Sequence, residues 1–131
     1  MAEELTGGDI ALLSEKQIAH IATVMPDGTP QLTPVWVDTD GTAVLFNTAK
    51  GRQKHRNLER NPKIAISVVD AANAFRWLSV RGTAEIVTEG ADAHIDKLAK
   101  KYLGVDSYPM RQPGEERVIV RLVPDRRTGQ T

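Results

Sequence analysis

The chain of 131 residues contains no cysteine. Disulfides, thiolate metal sites and cysteine nucleophiles are therefore excluded, and the absence is typical of proteins that work in a reducing cytoplasm. Hydrophobic runs are also short, because none approaches the ~20 residues that a membrane-spanning helix needs, and no signal-peptide segment follows Met1. We therefore expect a cytoplasmic protein that is independent of membranes and forms one domain over residues 1–131.

Aromatic residues are scarce, and the zero net charge hides an uneven distribution. Two Phe, two Trp and two Tyr are the only aromatic side chains, which leaves few platforms for stacking nucleic-acid bases. Residues 50–63 hold six Lys/Arg and one acid, a charge of 6 − 1 = +5, so the remaining residues sum to 11 − 16 = −5. A local positive patch on an acidic protein favours one anionic ligand site over nucleic-acid binding. The alternative is a solvated helix with surface ion pairs.

The pattern of apolar residues and turns predicts a mainly β protein. Three helices are predicted, over Asp9–Lys16 (capped by Asp9), Arg52–Arg60 and Glu89–Leu103. Six strands are predicted, over Ile18–Val24, Gln31–Asp38, Ala43–Thr48, Lys63–Val69, Phe75–Val87 (bent at Gly82) and Arg117–Val123, before an Arg-rich tail. Six strands joined by short turns favour a closed or nearly closed antiparallel barrel. Pro34 cannot donate to a neighbouring strand, so its strand is an edge, carries a bulge, or faces something other than a strand.

The segment from Thr48 to Lys54 leaves a strand, turns at Gly51 and opens a helix. The free N–H groups and the dipole of a helix N-terminus attract anions, and basic side chains beside them add charged hydrogen bonds. Arg52, Arg56 and Arg60 recur at intervals of four residues, so one face of this helix is basic. A ligand that bears phosphate or several negative charges suits this arrangement.

A series of short motifs carries a family resemblance over roughly residues 9 to 124. They are Ile21-Ala22-Thr23, Asp27-Gly28-x-Pro30, Pro34-Val35-Trp36, Gly51-Arg52-x-Lys54-x-Arg56-Asn57-Leu58-x-x-Asn61-Pro62 and Val80-x-Gly82-x-Ala84. In order and spacing the chain resembles the pyridoxamine-phosphate-oxidase-like split β-barrel superfamily, whose members include FMN-binding proteins. Within it, the chain looks most like the short actinobacterial oxidoreductases that depend on the deazaflavin coenzyme F420.

The resemblance implies a six-stranded antiparallel split β-barrel that forms a homodimer, with a cofactor groove at each subunit interface. The strand beside the flavin-like ring would supply Gln31, Thr33, Pro34, Val35 and Trp36. Arg52 and Lys54 match the basic pair that holds the phosphate and the acidic tail, and Thr48 and Lys50 are further candidates for cofactor binding. Phe75 and Trp77 are expected to approach the cofactor from the partner subunit.

The expected activity is transfer of a hydride from reduced F420 to a small organic substrate, in which the protein supplies orientation and a dry surface. The alternatives are an FMN-binding oxidoreductase of the same fold and a non-catalytic flavin- or deazaflavin-binding protein. Catalytic triads, paired carboxylates and metal-ligand spacings do not occur in the sequence, so no catalytic residue is assigned. A true pyridoxamine-phosphate oxidase is not expected, because the Arg-x-His motif of those enzymes does not occur near residues 126–131.

The three histidines have structural as well as functional interpretations. His20 is expected to be a core or dimer-interface residue. His55 is expected either to add to the anion site or to be solvated. His94 is expected on the exposed side of its helix, because Asp92 and Asp96 point to other faces and form no metal cluster with it.

Overall fold

The computed structural model describes residues 2–131 as three helices and one seven-stranded sheet. The helices are α1 (Gly7–Ser14), α2 (Gln53–Arg60) and α3 (Ala91–Leu103). The strands are β1 (Ile18–Val24), β2 (Pro30–Trp36), β3 (Asp38–Thr39), β4 (Val44–Ala49), β5 (Lys63–Asp70), β6 (Asn73–Val87) and β7 (Arg117–Gln130). No helix among residues 2–131 combines the length and apolar character of a membrane span.

All neighbouring strands are antiparallel, in the order β2-β1-β5-β6-β7-β4-β3, and the sheet curls around one core. The predicted split barrel is confirmed, with seven strands instead of six. The extra strand arises because the predicted strand 31–38 is interrupted at Val37, whose N–H donates to the Tyr102 hydroxyl at 3.0 Å. The Val37 carbonyl accepts from Lys101 Nζ at 2.6 Å, so this backbone is held by α3 instead of a strand. Pro34 lies on β2, an edge strand that pairs only with β1, which is a position where proline is tolerated.

The core fills the inside of the curled sheet and is closed by two helices. Phe46, Ile21 and Leu122 are at most 1% exposed within it. Leu12 and Leu13 of α1 cover one opening, and Leu58 adds the apolar side of the basic helix α2. Full burial of a side chain of this size contributes about 1.5–3 kcal/mol.

Strand β7 is longer than predicted. The expected strand stops at Val123 because the residues that follow are polar, but β7 continues to Gln130 since the 15-residue β6 offers backbone partners as far as Trp77. Arg81 pairs with Arg126 and Gly82 pairs with Pro124, so Asp125 is an extra residue, a β-bulge opposite the predicted bend at Gly82.

The first helix begins at Gly7 with Thr6 as its N-cap, which corrects the predicted cap at Asp9. Asp9 is instead the third helical residue and completes a capping box, in which its carboxylate accepts from the Thr6 N–H at 2.9 Å. Asp9 is fully buried and accepts from Arg127 Nε at 2.7 Å and Nη2 at 2.8 Å. Burial alone raises the pKa of Asp9, but the bonds from Arg127, Thr6 and Thr131 hold the pKa below its ordinary value.

Helix α3 connects β6 to β7 and forms a second, smaller apolar cluster. Ile95, Leu98 and Tyr102 are its buried members, and Trp36 of β2 packs against them. The Trp36 and Tyr102 rings stack with centroids 5.3 Å apart and planes 5° apart. Gly104 ends the helix at φ 73°, a left-handed conformation that favours glycine. This cluster lies beside the edge strand and forms one wall of the groove described below.

Candidate functional site

A groove of about 310 Å³ lies between the edge strand β2, the start of α2 and helix α3. Its volume is at the lower end of the ~300–1,000 Å³ typical of small-molecule sites. One end of the groove is basic and the other is apolar. Its lining residues are Ile18, Pro34, Val35, Trp36, Asn47, Arg52, Lys54, Ile95, Leu98, Tyr108, Met110 and Arg117.

Three cationic side chains converge on the basic end of the groove. Arg52 precedes α2, Lys54 lies in its first turn, and Arg117 begins β7. Glu115 is the carboxylate at this end: it pairs with Arg117 Nη1, and its Oε1 lies 3.9 Å from Arg52 Nη2. Three positive groups and one negative group leave a surplus of two positive charges. Burial, followed by repulsion from Arg52 and Arg117, lowers the pKa of Lys54, and a bound anion would offset that repulsion.

The local sequence explains why α2 begins at this end of the groove. Gly51 adopts φ 88°, which turns the chain out of β4. Its N–H donates to His55 Nδ1 at 3.1 Å, so the buried His55 ring holds the turn against the helix. No side chain caps the first turn of α2, whose N-cap residue is Arg52. The helix therefore adds unpaired backbone N–H groups to the positive end of the groove.

The apolar wall of the groove is aromatic and aliphatic. Trp36 lies edge-on to Tyr108, with ring centroids 6.0 Å apart at 90°. The Arg117 guanidinium carbon lies 5.1 Å from the centroid of the same Tyr108 ring. Val35 and Leu98 complete this surface. A flat, mostly apolar group can therefore lie beside β2 while an attached anion reaches the three cations.

A buried polar network lies directly behind the groove, and it corrects the prediction for His94. The His94 side chain is 8% exposed instead of facing solvent. Asn47 Nδ2 lies 3.1 Å from His94 Nδ1, and Asn47 Oδ1 accepts from Arg117 Nε at 2.8 Å. Asp38 Oδ2 lies 4.0 Å from His94 Nε2 and 3.2 Å from Lys97 Nζ. Helical periodicity predicts that one face of α3 is buried, but the apolar residues that define this face did not indicate that His94 is buried with them.

Five of the predicted cofactor-binding residues line the groove within one protomer: Pro34, Val35, Trp36, Arg52 and Lys54. The other six predicted residues do not line it. On β2, Gln31 Oε1 accepts from Thr23 Oγ1 at 3.3 Å, and Thr33 is half-buried. Lys50 is exposed and forms an ion pair with Glu116 at 3.0 Å, and Thr48 is buried.

Phe75 and Trp77 lie on β6, away from the groove of their own chain. Phe75 is 82% exposed, the largest exposure among the large hydrophobic residues of the described chain. Their predicted contact with a cofactor of the partner subunit remains a prediction.

Sequence reasoning missed Asn47, Tyr108, Met110 and Arg117. Val118, Val120 and Leu122 alternate inward, so the residue before them is expected to point outward, yet Arg117 is 6% exposed. Tyr108 lies in a loop without periodicity. Its N–H donates to Asp96 Oδ1 at 2.9 Å, so that loop is attached to α3 by a contact that no local pattern shows. The scarcity of aromatic residues was the one usable signal, because an aromatic in a polar loop is unusual.

Residues 2–131 contain no group of three or more His, Asp or Glu side chains arranged to hold a metal ion. The groove also lacks a nucleophile beside a general base among its lining residues. Its side chains are arranged to bind and orient an anionic, partly planar molecule.

Comparison with known proteins agrees with this fold and groove. A solved structure of an F420 reductase is 38% identical, with a TM-score of 0.80 over 92% of this chain and 95% of the other. The F420H(2)-dependent biliverdin reductase of Mycobacterium tuberculosis (strain CDC 1551 / Oshkosh) is 28% identical over 128 residues, 95% of this chain and 88% of that protein. HupZ of Group A Streptococcus is 28% identical with a TM-score of 0.67, over 95% of this chain and 92% of the other.

The curled antiparallel sheet and its groove beside an edge strand define the class: a split β-barrel protein. The sequence model of the pyridoxamine 5'-phosphate oxidase family matches residues 10–130. The chain belongs to that family, which confirms the resemblance found in its motifs.

Proposed function

We propose that this protein is an oxidoreductase that binds reduced F420 and transfers a hydride from it to a small organic substrate. The observation that carries the proposal is the groove itself, in which Arg52, Lys54 and Arg117 lie next to an apolar, aromatic wall and one carboxylate, Glu115, is shared by the two arginines. F420 joins a planar deazaflavin ring to a phosphodiester and an acidic glutamate tail, and so combines the two properties that the groove selects. Two relatives whose names state F420 dependence or F420 reduction support the choice.

The residues of the groove would act by binding, orientation and exclusion of water. Arg52, Lys54 and Arg117 would hold the phosphodiester, because charged hydrogen bonds to phosphate are stronger than neutral ones. Val35 and Trp36 would lie along the ring and keep water from it. Bound F420 in its reduced form supplies the hydride in a two-electron step. Four other predicted residues do not line the groove of one protomer, and the cofactor would contact them only where it extends past that groove: Gln31, Thr33, Thr48 and Lys50.

The protein would act as a homodimer. Four large hydrophobic side chains on the outer face of the sheet are exposed: Ile18 (46%), Leu32 (66%), Val69 (47%) and Phe75 (82%). They lie on the adjacent strands β2, β1, β5 and β6, on the side of the sheet away from the core. Ile18 also lines the groove, so a second copy on this face would extend the groove wall. Phe75 and Trp77 of that copy are the proposed contributors.

Light scattering at micromolar concentration tests the assembly. We expect twice the 14.4 kDa chain mass, and we expect Phe75→Glu to shift the protein toward the monomer with weaker F420 binding. A monomeric wild type that binds F420 fully would contradict the shared groove.

A cytoplasmic location, favoured by the lack of cysteine, remains a prediction.

Side-by-side titration with F420 and FMN tests the cofactor, and turnover of a substrate panel then tests the activity. We expect tighter binding of F420 and oxidation of reduced F420 by at least one member of a panel of enones, quinones and tetrapyrroles. Biliverdin belongs in the panel because one relative is named for its reduction. Tighter binding of FMN would favour the FMN-binding alternative, which the family match supports. Tight F420 binding without any turnover would favour a non-catalytic binding protein.

A further inference from the structure

A chain of hydrogen bonds leads from the groove to a buried histidine. Asn47 Oδ1 accepts from Arg117 Nε at 2.8 Å. Its amide nitrogen donates to the Ala91 carbonyl at 2.9 Å and lies 3.1 Å from His94 Nδ1. Asn47, His94 and Arg117 are 9%, 8% and 6% exposed, so water does not compete freely for these contacts. Asn47 therefore couples the environment of His94 to the position of Arg117.

The partners of Asn47 determine its orientation and the tautomer of His94. Arg117 can only donate, so the Asn47 atom beside it is the oxygen, and the Ala91 carbonyl can only accept, so it faces the amide nitrogen. That nitrogen is a donor, which requires His94 Nδ1 to be an acceptor without a proton. His94 is thus uncharged, with its proton on Nε2.

The burial of His94 favours this uncharged form. Burial lowers the pKa of His94 below its ordinary value of 6.5, Asp38 opposes the shift and Lys97 adds to it. Asp38 is a weak counter-ion for a charged His94, because its nearer oxygen lies 4.0 Å from Nε2 and already pairs with Lys97 at 3.2 Å. On the far side of Asn47 stand Arg117 and its partner Glu115.

We propose that uncharged His94 is a positioning residue for the basic end of the groove, and that its protonation weakens the binding of a phosphate-bearing ligand. A proton on Nδ1 would face the Asn47 donor, so the amide must turn or withdraw. A turned amide presents its nitrogen to Arg117, also a donor, and the Arg117 Nε–H loses its acceptor, which leaves Glu115 to hold the guanidinium. The inference takes its ligand from the proposed function, but the contacts stand without that assignment.

The test compares F420 affinity from pH 4.5 to 8 in the wild type, His94→Asn and His94→Leu. Asparagine Oδ1 stands at the same point along the side chain as histidine Nδ1 and accepts a hydrogen bond without titrating. We expect wild-type affinity to fall about tenfold as His94 becomes protonated, the consequence of one misplaced charged hydrogen bond. His94→Asn should remove this fall, and His94→Leu should bind weakly across the whole range.

His55, Lys54, Glu115 and the carboxylates of F420 are present in all three titrations, so the difference between the wild type and His94→Asn isolates His94. An identical pH profile for these two proteins would overturn the proposal, as would wild-type affinity in His94→Leu at pH 7.5.

Nitrogen-15 NMR of the ligand-free wild type is the second readout, and it requires neither F420 nor a stable variant. The expected result is a His94 ring with the proton on Nε2 and an Arg117 Nε–H signal that shifts with the same midpoint as the His94 titration. An Arg117 signal that ignores this titration would also overturn the proposal. Failure of the wild type to bind F420 at any pH counts against the proposed function, and the NMR result alone then decides the role of His94.

Discussion

Strand β7 carries two arginines that are largely buried and have very different partners. Arg127 gives two hydrogen bonds to the Asp9 carboxylate, whose oxygens also accept from the Thr6 N–H and the Thr131 hydroxyl. Arg117, near the other end of the strand, bonds a neutral amide and shares one carboxylate with Arg52. The first arginine has its own counter-ion, and the second belongs to a cluster with excess positive charge.

The difference separates a structural use of arginine from a binding use. A buried ion pair with every oxygen occupied attaches the N-terminal helix to the C-terminal strand and has no capacity left for a ligand. A cluster of cations with too few carboxylates is less favourable for the isolated protein and becomes favourable when an anion arrives. Substitutions at the Arg127 end of β7 should therefore change the free energy of unfolding, and substitutions at the Arg117 end should change ligand affinity.

The largest expected effect is on stability, from Arg127→Met. Removing one member of a buried pair leaves the Asp9 charge uncompensated, which costs about 3–5 kcal/mol in the free energy of unfolding. Denaturation in urea measures the change. Arg126→Met is the matched control, since Arg126 is exposed opposite Arg81 on the outer face and should change stability by no more than about 0.5 kcal/mol.

The pH dependence of unfolding is a second test of the Asp9–Arg127 pair. The pKa of Asp9 lies below its ordinary value of 3.8, so its contribution to stability is present above that pH and is lost as the pH falls through the lowered pKa. In Arg127→Met, burial favours the protonated acid. The stability difference between wild type and variant should therefore narrow as the pH falls through the raised pKa of Asp9 in the variant and on through its lowered pKa in the wild type. A constant difference would show that the charge on Asp9 is not its source.

Lys54 lies on α2, close to the Arg117 end of β7. Lys54→Ala should weaken F420 binding about tenfold to a hundredfold, or about 1.5–3 kcal/mol, through loss of a charged hydrogen bond. Its free energy of unfolding should barely change, because repulsion from Arg52 and Arg117 also disappears. Calorimetric titration and urea denaturation measure the two quantities. Lys63→Ala, an exposed basic residue of β5, is the control and should bind like the wild type. Equal affinity in both variants would remove the start of α2 as the phosphate site.

Gly82→Ala tests the geometry that directs Arg127 inward. A Cβ at position 82 would stand 1.9 Å from the Val123 carbonyl oxygen, so the backbone of the bulge must move. We expect a loss of about 1–3 kcal/mol in the free energy of unfolding. Gly7→Ala, whose added Cβ meets no atom within 4 Å, is the control and should leave stability equal or slightly higher. Equal stability of the two alanine variants would contradict this account of the bulge.

The smallest expected effect is that of Arg56→Gln on ligand affinity. Arg56 is exposed on α2 and its Nη2 donates to Gln53 at 2.6 Å, so it can meet only the extended acidic tail of F420. Affinity for F420 should fall about twofold to fivefold at low salt. The difference should vanish near 1 M salt, where the Debye length drops from ~10 Å at 0.1 M to ~3 Å. FMN, with a single terminal phosphate, should not distinguish the variant from the wild type.

The existence of most strands, the restriction that Pro34 places on its strand and the basic start of α2 were predictable from local sequence. Each depends on alternation, a turn residue or a charge pattern within about ten residues. Half of the groove was not predictable, because Arg117 and Tyr108 reach it through contacts between distant segments. The end of β7 was missed for the same reason: residues 124–130 are polar, and only the length of β6 explains why they form a strand.

His94 shows most clearly what local sequence could not predict about this site. A histidine between Asp92 and Asp96 on an amphipathic helix has no local feature that distinguishes a buried residue from an exposed one. Its burial depends on contacts with Asn47 and Asp38, which lie on strands more than forty residues earlier in the chain. The predicted surface position was therefore a reasonable inference from the helix and wrong for the folded protein.

The bulge at Asp125 also bears on how insertions and deletions are tolerated in this strand. Deleting Asp125 would remove the bulge and restore regular alternation without changing the pairs on either side of it, because Gly82 already pairs with Pro124 and Arg81 with Arg126. Arg127 would stay opposite Val80 and keep its contact with Asp9. The bulge is therefore a point at which this strand can lose one residue and keep its register.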